Sequence, residues 1–555
     1  MKSKCTKVRS PELSCNVTVN DELLDTTRAP PRFPVETWES IFWNVTRPAD
    51  LYNVALTSHY FHDIVRPVLY RRLYIDPNPY SIFTLSLFMR DAALTSRVTK
   101  LTLLPPVPHC IPPALHKEAD ELMKTLDIVY PSIAVCPHPL ISLIPSFSPV
   151  ERDICFRPIY RFFPMFTGII TLHIVEDSLP ANFLRRVFEL PQLTTLHLRD
   201  LLLPSSFCPA IPSASLPLQN LSILGCRTKA DLTALYVPGM LCEGLIKHSP
   251  SLTSLTVDLF VERAACHTLA NLENPPPIHT LKCHGMSHHD LDCALLCSVL
   301  LALPTISTLH MIRTPRELAP LLPKTCLPNL RTLTGQIKSI PVFIMALRQL
   351  QYLTITDAAS ANGGIPWETQ LIQFLESVKR MHADLKGLAF NVAEWSEELF
   401  LCICQLWPGL KELKVQCTSG NGADEVCLLP CLMSSSHIQR QQYFRISFGP
   451  RFLPRLQSLE LLHIYVKSLK HGFTKYKKSK GVRVEIDSAR PLFPLGQDEA
   501  EELAEALIHL RRWEKLSRCL REIAFDREAW WHRLEPGGWV LRRDLLPALT
   551  EDGGQ

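Results

Sequence analysis

The chain has 555 residues, 46% hydrophobic and 20% charged, so it can bury a large core as several domains or as one long repeat array. Its net charge of +4 is small for this length and names no partner. No stretch approaches a membrane span, and no apolar run follows the first ten residues, so we expect no secretory signal. Most of the 19 cysteines lie inside apolar runs, as in a reducing compartment, so we expect a cytoplasmic or nuclear protein.

The first predicted element is a helix that follows Phe33 and Pro34. Proline suits the first turn of a helix, where its missing N–H costs nothing. The next apolar residues fall on one helical face, and they are Val35, Trp38, Ile41 and Phe42. The segment 44–49 carries polar residues and Pro48, which should end this helix.

A second helix is predicted to begin at Asp50, which can act as its N-cap. Its apolar stripe runs through Leu51, Val54, Ala55, Ser58, Phe61, Ile64 and Val65. Pro67 breaks the pattern, and the chain continues through Val68, Leu69, Leu73 and Ile75. We therefore predict a disordered tail over residues 1–29 and a domain of three short helices over residues 30–75.

The order of these residues resembles the F-box, a helical module that docks proteins onto a ubiquitin-ligase core. The similar segments are Phe33-Pro34-Val35-Glu36, Ile41-Phe42, Asp50-Leu51, Val54-Ala55-Leu56 and Tyr60-Phe61. The tail from Arg66 to Tyr74 resembles the exit of fungal F-box proteins, while Phe33 replaces the usual leucine. An alternative without this resemblance is a helical pair that caps a larger domain.

The resemblance implies that the module binds a Skp-type adaptor and, through it, cullin and RING subunits. Short helices bury little surface alone, and aromatic side chains on an apolar face can anchor in a partner's groove. The residues expected at the adaptor, some of which must instead pack the module's own core, are Phe33, Pro34, Val35, Trp38, Ile41, Phe42, Leu51, Val54 and Phe61.

A six-residue unit recurs after the helical module. It consists of an apolar residue, two others, leucine, one other and an apolar residue. It begins at Val98, Ile169, Leu193, Leu218, Leu252, Ile278, Ile306, Leu330, Leu350, Leu385, Leu410, Leu456 and Leu520. Intervals such as 193 to 218 and 306 to 330 fall within the leucine-rich-repeat period of about 20–29 residues. Alternate residues of each unit should enter a core.

Predicted helices precede many of these units, and proline often separates helix from unit. The helices cover 240–248, 292–303, 342–348, 368–382 and 397–407. Helices that alternate with short strands imply parallel pairing. The predicted fold class is therefore α/β: a short three-helix F-box, then an irregular leucine-rich-repeat solenoid with helices outside and parallel strands inside. An α/β domain with unstacked strands is the alternative.

The repeats should occupy residues 76–487 and resemble those of fungal F-box/leucine-rich-repeat proteins. Two insertions are expected, a proline-rich one at 105–164 and a loop at 418–450. Residues 488–555 should form a linker, a C-terminal helix and a terminal cap.

Substrate contacts are expected at the outward positions of the repeat strands. The candidates share a basic bias that would suit an acidic or phosphorylated target, although a variable surface without that preference is the alternative. They are His197, Arg199, Thr256, Lys282, His284, His310, Thr354, Lys414 and Glu460.

Two further clusters have structural explanations that outweigh functional ones. The first could bind zinc, and its members are Cys283, His284, His288, His289, Asp292, Cys293 and Cys297. However, Cys283 occupies an apolar repeat position, and Cys293 and Cys297 share an apolar helix face. The second is the basic run 467–483, which could bind nucleic acid or act as a nuclear address, but is typical of a solvated face.

No nucleotide-binding, hydrolase or metalloprotease motif is present. We therefore expect a non-catalytic protein without cofactors or metal, which does not act on membranes. The resemblance implies a substrate-recognition subunit of an SCF-type ubiquitin ligase. The alternatives are a leucine-rich scaffold that acts outside ubiquitination and a nucleic-acid or chromatin binder.

Overall fold

A computed structural model describes a subset of the 555 residues, which fall into two compact units, Met1–Arg71 and Arg72–Gln555. The residues described are 33–45, 48–75, 92–103, 160, 163–175, 179, 183–203, 214–228, 236–284, 293–312, 314, 316–323, 326–345, 347, 349–357, 367–392, 396–418, 451–467, 513, 515–524, 530–534 and 538–542. None of the described helices is long and apolar enough to cross a membrane.

The described part of the first unit contains three helices, α1 (Val35–Trp43), α2 (Pro48–Ala55) and α3 (His59–Leu69). The predicted second helix is therefore two helices, which separate at residues 56–58. Ser58 causes the break, because its extended backbone and its Oγ, which accepts the Phe61 N–H at 3.1 Å, make it the N-cap of α3.

Two local predictions in this unit are wrong. Asp50 does not cap α2, because the helix already begins at Pro48 and Asp50 lies in its first turn. Pro67 does not end α3, which continues to Leu69. A proline in the last turn removes only one backbone hydrogen bond, and Tyr70 N still reaches Arg66 O at 3.3 Å.

Side chains from all three helices form the core of this unit. Its fully buried members are Phe42, Leu51, Ile64, Val65 and Val68. The three on α3 follow the helical spacing, so one face of α3 closes over α1 and α2. At about 1.5–3 kcal/mol for each large apolar side chain buried, these five contributions oppose the entropy cost of ordering a short segment.

The buried Arg71 ties the end of the helical unit to its beginning. Its guanidinium donates to Trp43 O at 2.5 Å and to Val45 O at 3.3 Å, and it lies 4.7 Å from the centre of the Trp43 ring. The two carbonyls belong to the end of α1 and the link toward α2, whose backbone groups lack helical partners. Arg71 therefore satisfies backbone acceptors that helix formation leaves open.

One sixteen-stranded sheet dominates the second unit. Its strands are β1 (Arg72–Ile75), β2 (Lys100–Leu103), β3 (Thr171–Val175), β4 (Thr195–Arg199), β6 (Asn220–Leu224), β8 (Ser254–Val257), β9 (Thr280–Cys283), β10 (Thr308–Met311), β11 (Thr332–Gly335), β12 (Tyr352–Ile355), β13 (Gly387–Val392), β14 (Glu412–Thr418), β15 (Leu461–Lys467), β16 (Glu522–Ala524), β17 (Trp530–Leu534) and β18 (Gly538–Arg542). The strands up to β16 pair in parallel in chain order, and β17 and β18 close the sheet antiparallel. The short strands β5 (Leu202–Leu203) and β7 (Arg227–Thr228) pair with each other.

The register places the central leucine of each repeat unit in one row across the sheet. Leu281 on β9 pairs with Leu309 on β10, which pairs with Leu333 on β11. All three are at most 2% exposed, while their neighbours on β9 and β10, and Thr332 on β11, are partly accessible. Alternate residues of a strand face opposite sides, so one side of the sheet is a continuous apolar core and the other is polar.

Helices connect successive strands and add their apolar faces to this core. They are α4 (Ala92–Arg97), α5 (Phe183–Phe188), α6 (Tyr236–Lys247), α7 (Leu259–Asn271), α8 (Cys293–Ala302), α9 (Ile340–Ile344), α10 (Trp367–Met381) and α11 (Glu397–Leu406), with 3₁₀ turns at Phe163–Met165, Arg316–Leu321 and Leu453–Arg455. Phe400 of α11, for example, lies 6.5 Å from Phe390 on the apolar side of β13. The five helices predicted here are present, with small changes at their ends. This arrangement is that of a leucine-rich-repeat-like solenoid.

Backbone hydrogen bonds fix the stacking at the beginning of each strand. His279 O accepts the N–H groups of both Ser307 and Thr308, at 2.8 and 3.0 Å. Ser307 O does the same for Arg331 and Thr332, at 2.9 and 3.0 Å. Each of these rungs therefore anchors the next through its backbone, which helps to keep the described parallel strands in register despite the irregular spacing of the repeats.

Carboxylates fix the turns that follow some strands. Asp258, after β8, accepts the Gly225 N–H after β6, and Asp357, after β12, accepts the Ile337 N–H after β11. Burial raises the pKa of Asp357, while the Ile337 hydrogen bond and Lys338 oppose that rise. Both aspartates have the same structural role, which is to accept a backbone N–H from the preceding rung. This role accounts for both residues without a binding site.

The repeat boundaries differ from the sequence prediction in two places. The unit predicted from Leu456 actually begins at Leu459, because a 3₁₀ turn at Leu453–Arg455 shifts the strand and pairs Leu462 with Leu413. A repeat strand was also missed at β1, where Leu73 and Ile75 are buried and pair with β2. The predicted insertions lie outside the described residues, except for Tyr160, residues 163–164 and Thr418, as does most of the linker and C-terminal helix.

Candidate functional site

The residues predicted to bind an adaptor divide between the core and the surface of the helical unit. Phe42 and Leu51 are 4% and 3% exposed and pack the core. Trp38, Val54 and Phe61 are half-buried and pack against it. The exposed members are Phe33, Pro34, Val35 and Ile41. Only this last group can offer its full side chain to a partner without opening the unit.

Aromatic side chains connect the buried and exposed members of this set. The Trp38 ring lies 5.5 Å from Phe33, 5.6 Å from Phe42 and 4.9 Å from Phe61, measured between ring centres. Edge-to-face and offset contacts at these distances add about 0.5–1.5 kcal/mol each to the burial of area. Trp38 therefore holds the exposed Phe33 against the core, and its own role is to position that surface.

Exposed apolar residues outside the predicted set enlarge this surface. They are Trp43, Tyr52, Leu56 and Tyr60, with 48%, 55%, 68% and 48% of their area exposed. Sequence reasoning missed them because it followed the apolar stripe, and a stripe identifies the residues that face a core. The missed signal was that these large apolar residues lie off the stripe. Together with Phe33, Val35 and Ile41 they form the exposed apolar set of the helical unit.

Six of the nine predicted substrate residues lie in one row on the polar side of the sheet. The register joins His197 to Ser222, Thr256, Lys282 and His310, and continues through Thr334 and Thr354 to Ala389 and Lys414. The six predicted side chains in this row are half-buried, whereas Thr334 and Ala389 are buried. The prediction that outward repeat positions share one face is therefore correct for this row, and their contact with a target stays a prediction.

The other three predicted substrate residues lie elsewhere. Arg199 lies on β4, two residues after His197, and its guanidinium pairs with the Asp200 carboxylate at 3.2 Å. His284 lies after the end of β9 and is only 6% exposed, so it is not an outward residue. Glu460 precedes β15 and binds Lys411 at 2.7 Å, because the repeat unit is shifted by three residues. The prediction of outward strand positions is wrong for His284 and Glu460.

Two histidines lie next to each other at the β3 end of the polar row. His173, which the sequence reasoning missed, pairs with His197 in the register, and their ring centres are 5.5 Å apart. Burial, followed by the charges of His197, Lys100 and Arg199, lowers the pKa of His173 to about 4. His173 is therefore neutral near pH 7, and the basic character of this end of the row rests on Lys100 and Arg199.

At the other end of the row, a histidine is bound to a carboxylate. His463 Nε2 lies 2.6 Å from Glu522 Oε1, and this hydrogen bond is the main reason why the pKa of Glu522 is lowered. His463 is nearly buried and Glu522 is partly accessible. The pair therefore stabilises the junction of β15 and β16.

A polar groove of about 530 Å³ opens at the edge of the sheet where β9 to β12 begin. We call it the edge groove. It is lined by His279, Ser307, Asn329, Arg331, Gln351 and Tyr352, together with the threonines at 305, 308 and 332. None of these residues was predicted, because the positions expected to contact a target all lay within the repeat strands. The signal was present in the residue that precedes each strand, which is polar in all four of these rungs.

Two of the candidate zinc ligands, Cys283 and Cys297, have structural roles in the second unit. Cys283 is 3% exposed in β9, and burial raises the pKa of its thiol, which disfavours the thiolate that zinc requires. Cys297 donates to Leu321 O at 3.2 Å within the core. His288, His289 and Asp292 lie outside the described residues, and among those described no group of three ligands could hold a metal ion.

The basic run extends beyond what the structure describes. Lys467 ends β15, and the remaining basic residues up to Arg483 lie outside the described residues. The nucleic-acid hypothesis therefore stays a prediction.

Comparisons with known proteins give no family name. No protein-family model matches the chain, and no curated protein matches it. A solved structure, the leucine-rich-repeat ectodomain of the plant membrane receptor kinase GASSHO1/SCHENGEN3 from Arabidopsis thaliana with CASPARIAN STRIP INTEGRITY FACTOR 2, is 16% identical. The match covers 55% of this chain and 34% of that chain, with a TM-score of 0.20. A likeness this weak carries no argument, and the repeat architecture rests on the strand register instead.

Proposed function

We propose that this protein is a substrate-recognition subunit of an SCF-type ubiquitin ligase. In this proposal the helical unit binds a Skp-type adaptor, and the repeats hold a target protein. The single observation that carries it is the exposed apolar set of the helical unit, on helices whose residue order resembles the F-box. Seven large apolar side chains exposed on so small a unit favour a covered surface over a solvated one.

The target would bind on the polar side of the sheet. The row from His197 to Lys414 presents hydroxyl, imidazole and ammonium groups on a rigid surface, as side-chain recognition requires. The lysines in this row are Lys282 and Lys414, and Lys414 Nζ lies 3.7 Å from Glu412 Oε2. A target with acidic or phosphorylated residues would suit the basic members of this row.

The protein would perform no chemistry itself in this role. It would bring the target close to a ubiquitin-charged enzyme and thereby raise the effective concentration of the reacting groups. The sequence holds no catalytic motif, and the groups described on the polar row are explained by binding or by structure.

The test is retention of adaptor and cullin by the full-length chain. Ile41→Asp combined with Leu56→Asp places charge on two exposed positions, 45% and 68% accessible, without removing a core side chain. Met345→Asp is the matched control, because Met345 is 67% exposed and belongs to the second unit. Variants at Trp38 or Phe42 are unsuitable, because both pack the core.

The expected result is that the wild type and Met345→Asp retain a Skp-type adaptor and cullin, and that the double variant loses both. Circular dichroism should show unchanged helix content in all three proteins. A wild type that retains no adaptor contradicts the ligase role and favours the scaffold alternative. A double variant that binds as well as the wild type removes the exposed apolar set from the interface.

A further inference from the structure

The edge groove is lined by hydroxyl, amide and imidazole groups and by one guanidinium, that of Arg331. Arg331 is exposed, and within the part of the chain that the structure describes no carboxylate pairs with its guanidinium. No aspartate or glutamate lines the groove. Lys411, which precedes β14, is bound to Glu460 at 2.7 Å, whereas the charge of Arg331 is available to a ligand.

Neighbouring contacts orient the uncharged groups. The hydroxyls of Thr305 and Ser307 donate to Ile278 O and His279 O, at 2.8 and 3.2 Å. Their protons are therefore already used, and these two side chains form part of the wall of the groove. Lys386 Nζ donates to Gln351 Oε1 at 3.3 Å, which leaves the amide N–H₂ of Gln351 as the group with donors to offer. Lys386 also adds a second positive charge beside the groove. The field at this edge therefore favours an anion.

Tyr352 gives the groove an aromatic wall. Its partner in the next strand is Gly387, and a Cβ at Gly387 would lie only 2.4 Å from the Tyr352 ring. The ring therefore occupies the space that any other residue at 387 would fill. The corresponding residue on β10 and β11 is threonine, so the aromatic ring is specific to this rung.

We propose that the edge groove binds a small phosphate ester whose organic part carries a ring, such as a mononucleotide or a sugar phosphate. The phosphate would lie at Arg331, where the guanidinium can donate two hydrogen bonds to its oxygens, and the ring would pack on Tyr352. A volume of about 530 Å³ is in the range of small-molecule sites. This proposal goes beyond the ligase role and does not depend on adaptor binding.

Calorimetric titration of the full-length chain tests the proposal. The probes are adenosine 5′-monophosphate and glucose 6-phosphate, with adenosine and glucose as uncharged counterparts. Arg331→Gln should weaken binding of the phosphate esters about tenfold or more, the usual loss for charge-assisted hydrogen bonds. Arg521→Gln is the matched control, because Arg521 also precedes a strand, is exposed and lies outside the groove. It should bind like the wild type.

Three results would overturn the proposal. They are no binding of either phosphate ester, equal binding of the uncharged counterparts, and equal losses in Arg331→Gln and Arg521→Gln. The role of the ring is tested with Tyr352→Thr, which installs the residue that β10 and β11 carry at this position. It should weaken binding of the mononucleotide more than that of inorganic phosphate, and equal losses would refute the aromatic wall. Adaptor retention reports separately on the ligase role.

Discussion

Replacing Glu262 with glutamine should make the protein more stable at alkaline pH. Glu262 lies on α7 and is 6% exposed, and its carboxyl forms a hydrogen bond with the Cys283 thiol. Burial, opposed by this hydrogen bond and assisted by the charge of Asp258, raises the pKa of Glu262 to about 7. The folded state therefore favours the protonated form of Glu262 more strongly than the unfolded state does.

The sign follows from proton binding. Between about pH 4.5 and pH 7 the folded state keeps a proton that the unfolded state has lost, so the free energy of unfolding falls as the pH rises through this window. At 1.36 kcal/mol per pH unit, the loss between pH 5 and pH 8 is about 2–3 kcal/mol. Glutamine has no proton to lose and can still accept the Cys283 S–H, so Glu262→Gln should avoid this loss.

The measurement is urea unfolding of the full-length chain at pH 5 and pH 8, followed by circular dichroism. The stability of Glu262→Gln relative to the wild type should increase by about 2–3 kcal/mol from pH 5 to pH 8. Glu243→Gln is the control, because Glu243 is exposed on α6. The reasoning is refuted if the free energies of unfolding of Glu262→Gln and the wild type differ by the same amount at both pH values.

Three further predictions concern packing and backbone strain. Phe42→Ala should destabilise the helical unit by about 3–5 kcal/mol, whereas Ile41→Ala should change it by less than about 1 kcal/mol, because only Phe42 is buried; faster amide hydrogen exchange throughout α1–α3 in the first variant alone is the readout. Arg71→Gln should cost about 2–3 kcal/mol in the same assay, because it weakens two charged hydrogen bonds to backbone carbonyls, and unchanged exchange would contradict that role. Gly225→Ala should lower the urea midpoint, because φ is +65° and the new Cβ would lie 2.2 Å from an Asp200 oxygen. Gly409→Ala, whose Cβ would meet nothing within 4 Å, should leave the midpoint unchanged.

The sequence was a good guide wherever local pattern and burial agree. The unit that begins at Ile278 places Leu281 and Cys283 on one side of a strand and Lys282 on the other, and any parallel stacking of such units produces an apolar and a polar face. Helices such as Glu397–Leu406 were equally readable, because Ser396 supplies a cap and the apolar residues follow the helical period. The polar row that includes Lys282 was therefore predictable.

The sequence was a poor guide where contacts between distant residues decide. The apolar stripe could not separate Phe42, which is buried, from Ile41, which is exposed, since adjacent helical positions differ by only 100°. The shift of the unit at Leu459 depended on a 3₁₀ turn that competes with the strand pattern. In both cases the local sequence pattern allows two arrangements, and packing against other elements selects one of them.

The repeat unit, the alternation of helix and strand, and the existence of a polar face all follow from the periodicity of apolar residues along the chain. Contacts between distant residues select which apolar residues of the helical unit remain exposed, and which residues from separate rungs meet at the edge groove. Arg331 and Tyr352 are 21 residues apart in the chain and become neighbours because parallel pairing brings successive strand starts side by side. That proximity depends on register, which no single repeat contains.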